Sequence, residues 1–405
     1  MRERISLRAA ALPIAVVLLV ASEMSAVGTA SASAVTCGSS WSAADEPPNP
    51  GGLSKPDILN GVTVLSSSNA WAVGSYFNGV ADRSLIVHWN GSVWKVVASP
   101  NVGGPSRENF LTGVAAISAH DIWAVGSHDN GTADRALIMH WNGSVWKIAA
   151  SPDRGGPASE NILTGVAATS ASDVWAVGKY YDGAGFQTLI EHRTGSGWAV
   201  VASPNPGGHA NNNVLTGVTA LSSTNAWAVG YYFKQGLAYR TLTVHWTGTA
   251  WHAVPSPNAG TPGKDNFLNA VAATSAGNVW AVGEVSDGTA GRTVIEHRTG
   301  SGWAVVASPN PASGPADIDV LTGVAATSAS NAWAVGTYSH GTVGRTLIVR
   351  WNGASWKVVP SPSPAGRAGE SVLTGAAASG ACSAWAVGYY DSATVPAQTL
   401  ALHWG

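Results

Sequence analysis

Short apolar runs alternate with polar punctuation along almost the whole chain, on a fixed beat. Between Ile58 and Pro100 the runs are LNGVTVL (59–65), AWAVGSY (70–76), SLIVHW (84–89) and WKVVA (94–98). Each is rich in Val, Ile, Leu or Trp and bounded by Gly, Pro, Asn or Ser, which predicts four short β-strands. Asn90-Gly91 joins the third run to the fourth. Both residues tolerate positive φ, so this is a two-residue hairpin signal. Beyond the N-terminal segment no stretch carries a sustained helical period of apolar residues.

The unit repeats. Trp-Ala-Val-Gly recurs with its tryptophan at Trp71, Trp123, Trp175, Trp227, Trp280, Trp333 and Trp385, in steps of 52, 52, 52, 53, 53 and 52 residues. Seven copies of a four-strand unit predict an all-β fold, a β-propeller of seven blades with four antiparallel strands each. A linear solenoid is the competing architecture, and the chain ends argue against it. The last copy stops at His403-Trp404-Gly405, before a fourth strand. The segment Cys37-Gly38-Ser39-Ser40-Trp41 matches the opening of a fourth strand elsewhere, as in Gly91-Ser92-Val93-Trp94. The N-terminal strand is therefore expected to complete blade seven and close the ring.

The first 34 residues read as a signal peptide. Arg2, Arg4 and Arg8 precede an apolar stretch from Ala9 to Ala21, and Ala32-Ser33-Ala34 is a small-residue cleavage site. The apolar stretch is too short to span a bilayer. The expectation is a secreted, extracellular protein with its propeller over 35–405. A lipidated Cys37 is the rival, with Ala34-Val35-Thr36 a poor match to the sequence that precedes such a cysteine. Charged residues make up 11% of the chain and the formal net charge is −2, so no basic stripe for nucleic acid exists. The two cysteines, Cys37 and Cys382, are expected to pair, since both fall at turns of blade seven and export permits oxidation. Such a bond closes a loop of about 345 residues and contributes on the order of 5 kcal/mol in the chain-entropy account.

Most recurrent residues read as framework. Of the 19 tryptophans, seven open the second strand, seven the fourth, and five end the third. His88, His140, His192, His245, His297 and His403 share one place in the third strand, with Arg350 in the remaining copy. One histidine per blade cannot converge on a metal ion, so a repeated hydrogen bond is expected. Arg83, Arg135, Arg240, Arg292 and Arg345, with Gln187 and Gln398, precede the third strand and are expected to pin a loop to backbone carbonyls.

Candidate binding residues lie in what varies. All nine tyrosines fall between the end of a second strand and the start of a third. Five of them share one position, which looks like framework, but neighbouring positions vary, as binding loops on a rigid scaffold do. Tyr76, Tyr181, Tyr231, Phe233 and Tyr389 are the aromatic candidates for a ligand surface. Glu108, Glu160 and Glu370, in the connections leading into a first strand, are the acidic ones. Asp265, Asp317 and Asp319 are weaker candidates for a Ca²⁺ site, the only cofactor the sequence suggests. No G-x-S-x-G, H-E-x-x-H or phosphate loop occurs, and no carboxylate pair stands out for glycoside chemistry.

The hairpin His88-Trp-Asn-Gly-Ser-Val-Trp94 resembles the Asp-box hairpin of sialidase-like propellers, with the first Ser and the Asp of the box replaced. The WAVG…HWNGxxW unit resembles more closely the tryptophan-rich propeller repeats of secreted actinobacterial proteins, over residues 37–405. The resemblance implies the fold and export. It implies no catalytic residue, because the arginine triad, Tyr–Glu pair and Asp of sialidases have no recognisable counterparts. The expected function is that of a lectin-like binding module, monomeric, whose partner is an extracellular glycan or a secreted protein. A polysaccharide lyase or glycoside hydrolase, with its site at the channel mouth, is the alternative. A scaffold within a secreted assembly is the third reading.

Overall fold

The computed structural model describes residues 38–405, apart from 44–45, 196, 235, 237, 287, 301, 313, 367–368 and 393. The expected signal peptide (1–34) and Cys37 lie outside the described residues. Among the described residues there are 28 strands and no helix, so no helix is long and apolar enough to cross a membrane. In the first copy the strands are Asp57–Ser66, Asn69–Phe77, Asp82–Trp89 and Trp94–Val96. The first three run slightly longer than the sequence predicts. Asp57 is fully buried and pairs with Tyr76, which extends the ladder by two residues. The fourth strand is shorter, although the Val97 N–H still bonds to the Ile86 carbonyl before Ser99-Pro100 ends it.

Each copy is a four-stranded antiparallel sheet in sequence order: 57–96, 109–149, 161–200, 213–254, 265–306, 318–358 and 371–404. The seventh has three strands of its own. Its fourth is Trp41–Ala43, which pairs with the last strand at Trp41↔Trp404, Ser42↔His403 and Ala43↔Leu402. No sheet closes on itself. The copies remain separate sheets except at one parallel bridge, Gly291↔Ile318, between the fifth and sixth. This is an all-β architecture of four-stranded sheets, as a propeller requires.

The first and second strands of every copy slip register at the same place. In the first copy the slip falls between Leu59 and Gly61, which leaves Asn60 in a β-bulge. Thr112, Thr164, Thr216, Asn269, Thr322 and Thr374 occupy the equivalent bulges. The bulged side chains reach the neighbouring copy. Asn60 donates to the Leu111 carbonyl, and the chain of bonds continues through Leu163, Leu215, Leu268, Leu321 and Leu373, at 2.6–2.8 Å. Thr374 then donates to Leu59 at 2.7 Å and completes the cycle. The bulge also explains the glycine of WAVG. Gly74 pairs with Leu59, and a Cβ on it would lie 2.0 Å from the Ile58 carbonyl oxygen.

The core sits between successive sheets. Trp385 and Val387 of the seventh copy pack with Leu59, Leu85, Trp89 and Trp94 of the first, and similar clusters fill the other boundaries. The second-strand tryptophan is the knob. Trp385 meets the edge of Trp94 at 5.0 Å, and Trp333 meets Trp41 at 5.2 Å. The N-terminal strand thus supplies the outer tryptophan that the seventh copy lacks. Burying each indole removes roughly 200 Å² from water, up to about 5 kcal/mol at about 25 cal/mol/Å².

Candidate functional site

The histidine row is structural. His88 stacks on Trp71 at 4.2 Å, and its Nε2 lies 3.1 Å from Asn69 Oδ1. The same pattern links His140 to Asp121, His192 to Asp173, His245 to Asn225 and His297 to Asn278. Arg350 takes the place with its guanidinium over Trp333 and two bonds to Asn331. The row before the third strand pins loops as expected, and the loop it pins belongs to the next copy. Arg83 donates to the carbonyls of Gly104 and Arg107, Arg135 to those of Gly156 and Ser159, and Gln398 to that of Lys55.

The connections into the first strands are folded by one buried side chain each. Asn109, Asn161, Asn213 and Asn266 are fully buried and bond to backbone groups of their own loops. Asp57 accepts the Gly51 N–H in the same role, and burial pushes its carboxyl up to about 6. Glu108 and Glu370, one residue earlier, are exposed, and Glu160 is half-buried. They stand in different copies and do not come together.

The aromatic candidates separate likewise. Tyr76 packs against the core between the seventh and first copies, and Tyr180, Tyr232, Tyr338 and Tyr390 do the same at their boundaries. This position is framework. Tyr181 is 39% exposed, meets Phe186 edge-on at 5.5 Å and donates its hydroxyl proton to the Gly183 carbonyl. Tyr389 is half-buried, and burial together with the charges of Glu370 and Asp391 pushes its hydroxyl up.

Tyr231 and Phe233 belong to a larger group. Tyr231 meets Tyr239 at 5.4 Å and Phe267 at 4.9 Å, while Phe233 meets Tyr239 at 5.2 Å. All four rings are partly exposed and straddle the boundary between the fourth and fifth copies. Polar groups border them. Asn212 Nδ2 donates to the Tyr239 hydroxyl at 3.4 Å, and the Tyr239 N–H bonds to Asp265 Oδ1 at 2.9 Å. Burial, with Tyr239 beside it, pushes the Tyr231 hydroxyl up. Tyr239 and Phe267 are the members the sequence did not single out. The signal was available, because only this boundary combines three aromatic residues of one copy, Tyr231, Phe233 and Tyr239, with a phenylalanine opening the next copy's first strand.

The three acidic residues weighed for Ca²⁺ are already engaged. Asp265 holds the Tyr239 N–H. Asp317 accepts from the Gly314 N–H and lies 3.0 Å from His340 Nδ1, contacts that hold its carboxyl below the usual range. Asp319 is fully buried between the Ala312 N–H and Arg292. Among the described residues no three His, Cys, Asp or Glu side chains converge as metal ligands. The channel along the bulges, about 180 Å³, is lined by Gly, Val, Thr, Ala and Asn and carries no acid or base.

Two buried acids escaped the sequence reading. Glu191 and Glu296 are fully buried in the third strands of the third and fifth copies. Burial pushes them up to about 7 and about 8. Their signal is departure from the repeat, since Val87, Met139, Val244, Val349 and Leu402 hold the same place elsewhere.

No family model matches the chain, and no curated protein matches it in sequence. Solved structures do resemble it in shape. A protein of unknown function from Dyadobacter fermentans shares 9% identity over 91% of this chain and 98% of its own, with a TM-score of 0.50. The GH74 xyloglucanase of Xanthomonas campestris shares 14% identity at a TM-score of 0.51, over 86% of this chain and 53% of the xyloglucanase. An ulvan lyase, a polysaccharide lyase solved with a bound sulfated glucuronate–rhamnose saccharide, shares 10% identity at a TM-score of 0.50, over 88% and 94%. At these identities the likeness is one of fold.

Proposed function

We propose that this chain is a secreted seven-bladed propeller whose aromatic cluster at the fourth and fifth copies binds carbohydrate. The cycle of seven bulge bonds and the N-terminal strand on Trp404 support the closed ring. The turn holding Cys382 belongs to the seventh copy, where Cys382 is not a free thiol. A bond to Cys37 would pin the closing strand, and peptide mapping without reductant that found two free thiols would remove it.

The observation that carries the binding role is the group Tyr231, Phe233, Tyr239 and Phe267. Its rings are exposed enough to stack on a sugar, and Asn212 and Asp265 stand beside them to bond hydroxyls. Aromatic faces with convergent polar groups are the usual composition of such sites. The xyloglucanase and the ulvan lyase act on polysaccharides, which agrees with this reading. The test is a titration with neutral cello- and xylo-oligosaccharides. Tyr239→Ala or Phe267→Ala is expected to weaken binding about tenfold or more, roughly 1.4 kcal/mol. Unchanged affinity in both variants, with the unfolding midpoint preserved, refutes it.

A further inference from the structure

Where the second copy meets the third, three residues depart from the repeat, and the departures meet in space. One third-strand position is Ser84, Thr188, Thr241, Thr293, Thr346 or Thr399 in six copies but Ala136 in the second. The residue before the strand's histidine is two positions before Trp in five copies, but Glu191 and Arg193 form the corresponding pair in the third. In the later copies the serine after the fourth strand bonds to its own copy's threonine, as Ser203 does to Thr188 and Ser256 to Thr241. With Ala136 in that place, Ser151 turns across the boundary and donates to Glu191 Oε1 at 2.8 Å. The other carboxylate oxygen of Glu191 is buried without a hydrogen-bond partner.

Arg193 takes the place of an indole. At five boundaries a third-strand tryptophan packs on the preceding copy's second-strand tryptophan, as Trp141 does on Trp71 at 5.2 Å. Here the guanidinium lies 5.0 Å over Trp123 and donates once, to the Ala171 carbonyl. A groove of about 510 Å³ opens beside it, lined by Trp123, His140, Lys147, Ser151, Arg193 and Trp198. Trp198 is partly exposed, whereas the other fourth-strand tryptophans are buried. Lys147 is exposed, and no ion pair engages it or Arg193 among the described residues. His140 is held by Asp121 at 2.8 Å.

We propose that this groove is a second binding site, for an acidic sugar residue whose carboxylate sits on Arg193 and Lys147 and whose ring lies on Trp198. Arginine has five N–H donors and only one is spent among the described residues, so a carboxylate finds a matching fork. The volume falls within the range of about 300–1,000 Å³ usual for small-molecule sites. A partly exposed indole beside two cations without ion-pair partners suits a pyranose carrying a negative charge better than a peptide terminus, which offers no ring face. The fifth copy shows what an incomplete set looks like. Arg298 lies over Trp227 at 4.7 Å, but Ser256 stays with Thr241, His252 replaces Lys147 and Trp303 is 9% exposed.

This inference rests on the carbohydrate reading but uses residues apart from the aromatic cluster, so the two fail separately. The experiment is calorimetric titration of the full chain with a tri-galacturonate and with its methyl ester. The acid is expected to bind at least tenfold more tightly than the ester. Arg193→Trp, which installs the residue of five other copies, should abolish that binding, and Lys147→Ala should weaken it about fivefold. Arg298→Trp should leave it unchanged. Equal affinity for acid and ester, binding retained in Arg193→Trp, or a peptide carboxylate bound in preference to the uronate overturns the proposal. Neutral-glycan binding lost in Tyr239→Ala would stand whichever way this result falls.

Discussion

Replacing Glu296 by valine should stabilise the protein at neutral pH and flatten its pH dependence. Both carboxylate oxygens of Glu296 are buried without hydrogen-bond partners, and burial raises its pKa from 4.5 to about 8. The folded chain therefore keeps a proton that the unfolded chain releases between pH 4.5 and 8. In that window the folded state binds more protons, so stability falls as pH rises, by up to about 1.4 kcal/mol per unit. Between pH 4.5 and 7 the loss approaches about 3 kcal/mol, and it ends once the pH passes 8. Valine suits the site, since Val87, Val244 and Val349 occupy it in other copies. Denaturant unfolding of both proteins at pH 4.5, 6 and 8 isolates the effect, because other carboxylates titrate equally in each. The gain from Glu296→Val should grow by about 4 kcal/mol from pH 4.5 to 8. A gain independent of pH would refute the assignment of a neutral buried acid, and a loss at every pH would show that Glu296 has a partner.

The proposed ring closure can be tested in the same way. Thr374 donates to Leu59 at 2.7 Å and to Val387 at 3.0 Å, so Thr374→Val should cost about 1–3 kcal/mol by leaving buried carbonyls unpaired. Thr164→Val, which removes the equivalent bonds inside the chain, should cost the same by denaturant unfolding; a costless Thr374→Val would mean the seam is not closed. Gly74→Ala should abolish folding or cost more than about 3 kcal/mol, because its Cβ would lie 2.0 Å from a backbone oxygen that cannot move aside. Gly197→Ala, with nothing within 4 Å of the added carbon, is the control and should be neutral.

The strands were legible because their signal is local and is repeated seven times. Short β-branched and aromatic runs between Gly, Pro and Asn give strand positions directly, and the displaced Trp41 announced the pairing with Trp404. The bulge at Asn60 and its equivalents was not legible. A register slip depends on which backbone groups find partners across two strands, and the Thr or Asn at that place reads from sequence alone as an ordinary strand residue. The same holds for the acidic residues before each first strand. Asp57 and Asp319 lie inside and fold the loops, whereas Glu108 and Glu370 reach solvent.

What the period hides is the exception to it. Counting recurrences directs attention to Trp71 or His88, whose chemistry is used up in packing and in the hydrogen bonds to Asn69. The residues left with unspent chemistry are those that break the pattern. Ala136 frees Ser151, Arg193 replaces an indole, and Phe267 and Tyr239 meet across one boundary, a pairing no other copy makes. A repeat fold needs each position only to be good enough for its neighbours. A copy that gives up an indole for a guanidinium and a valine for a buried acid loses packing and adds desolvation. That loss falls twice in this chain, at Glu191 and Glu296, and a groove opens beside the first. The pH-dependent stability measured for Glu296→Val and Glu191→Val would give the size of the burden at each site, and uronate binding would show which of the two it serves.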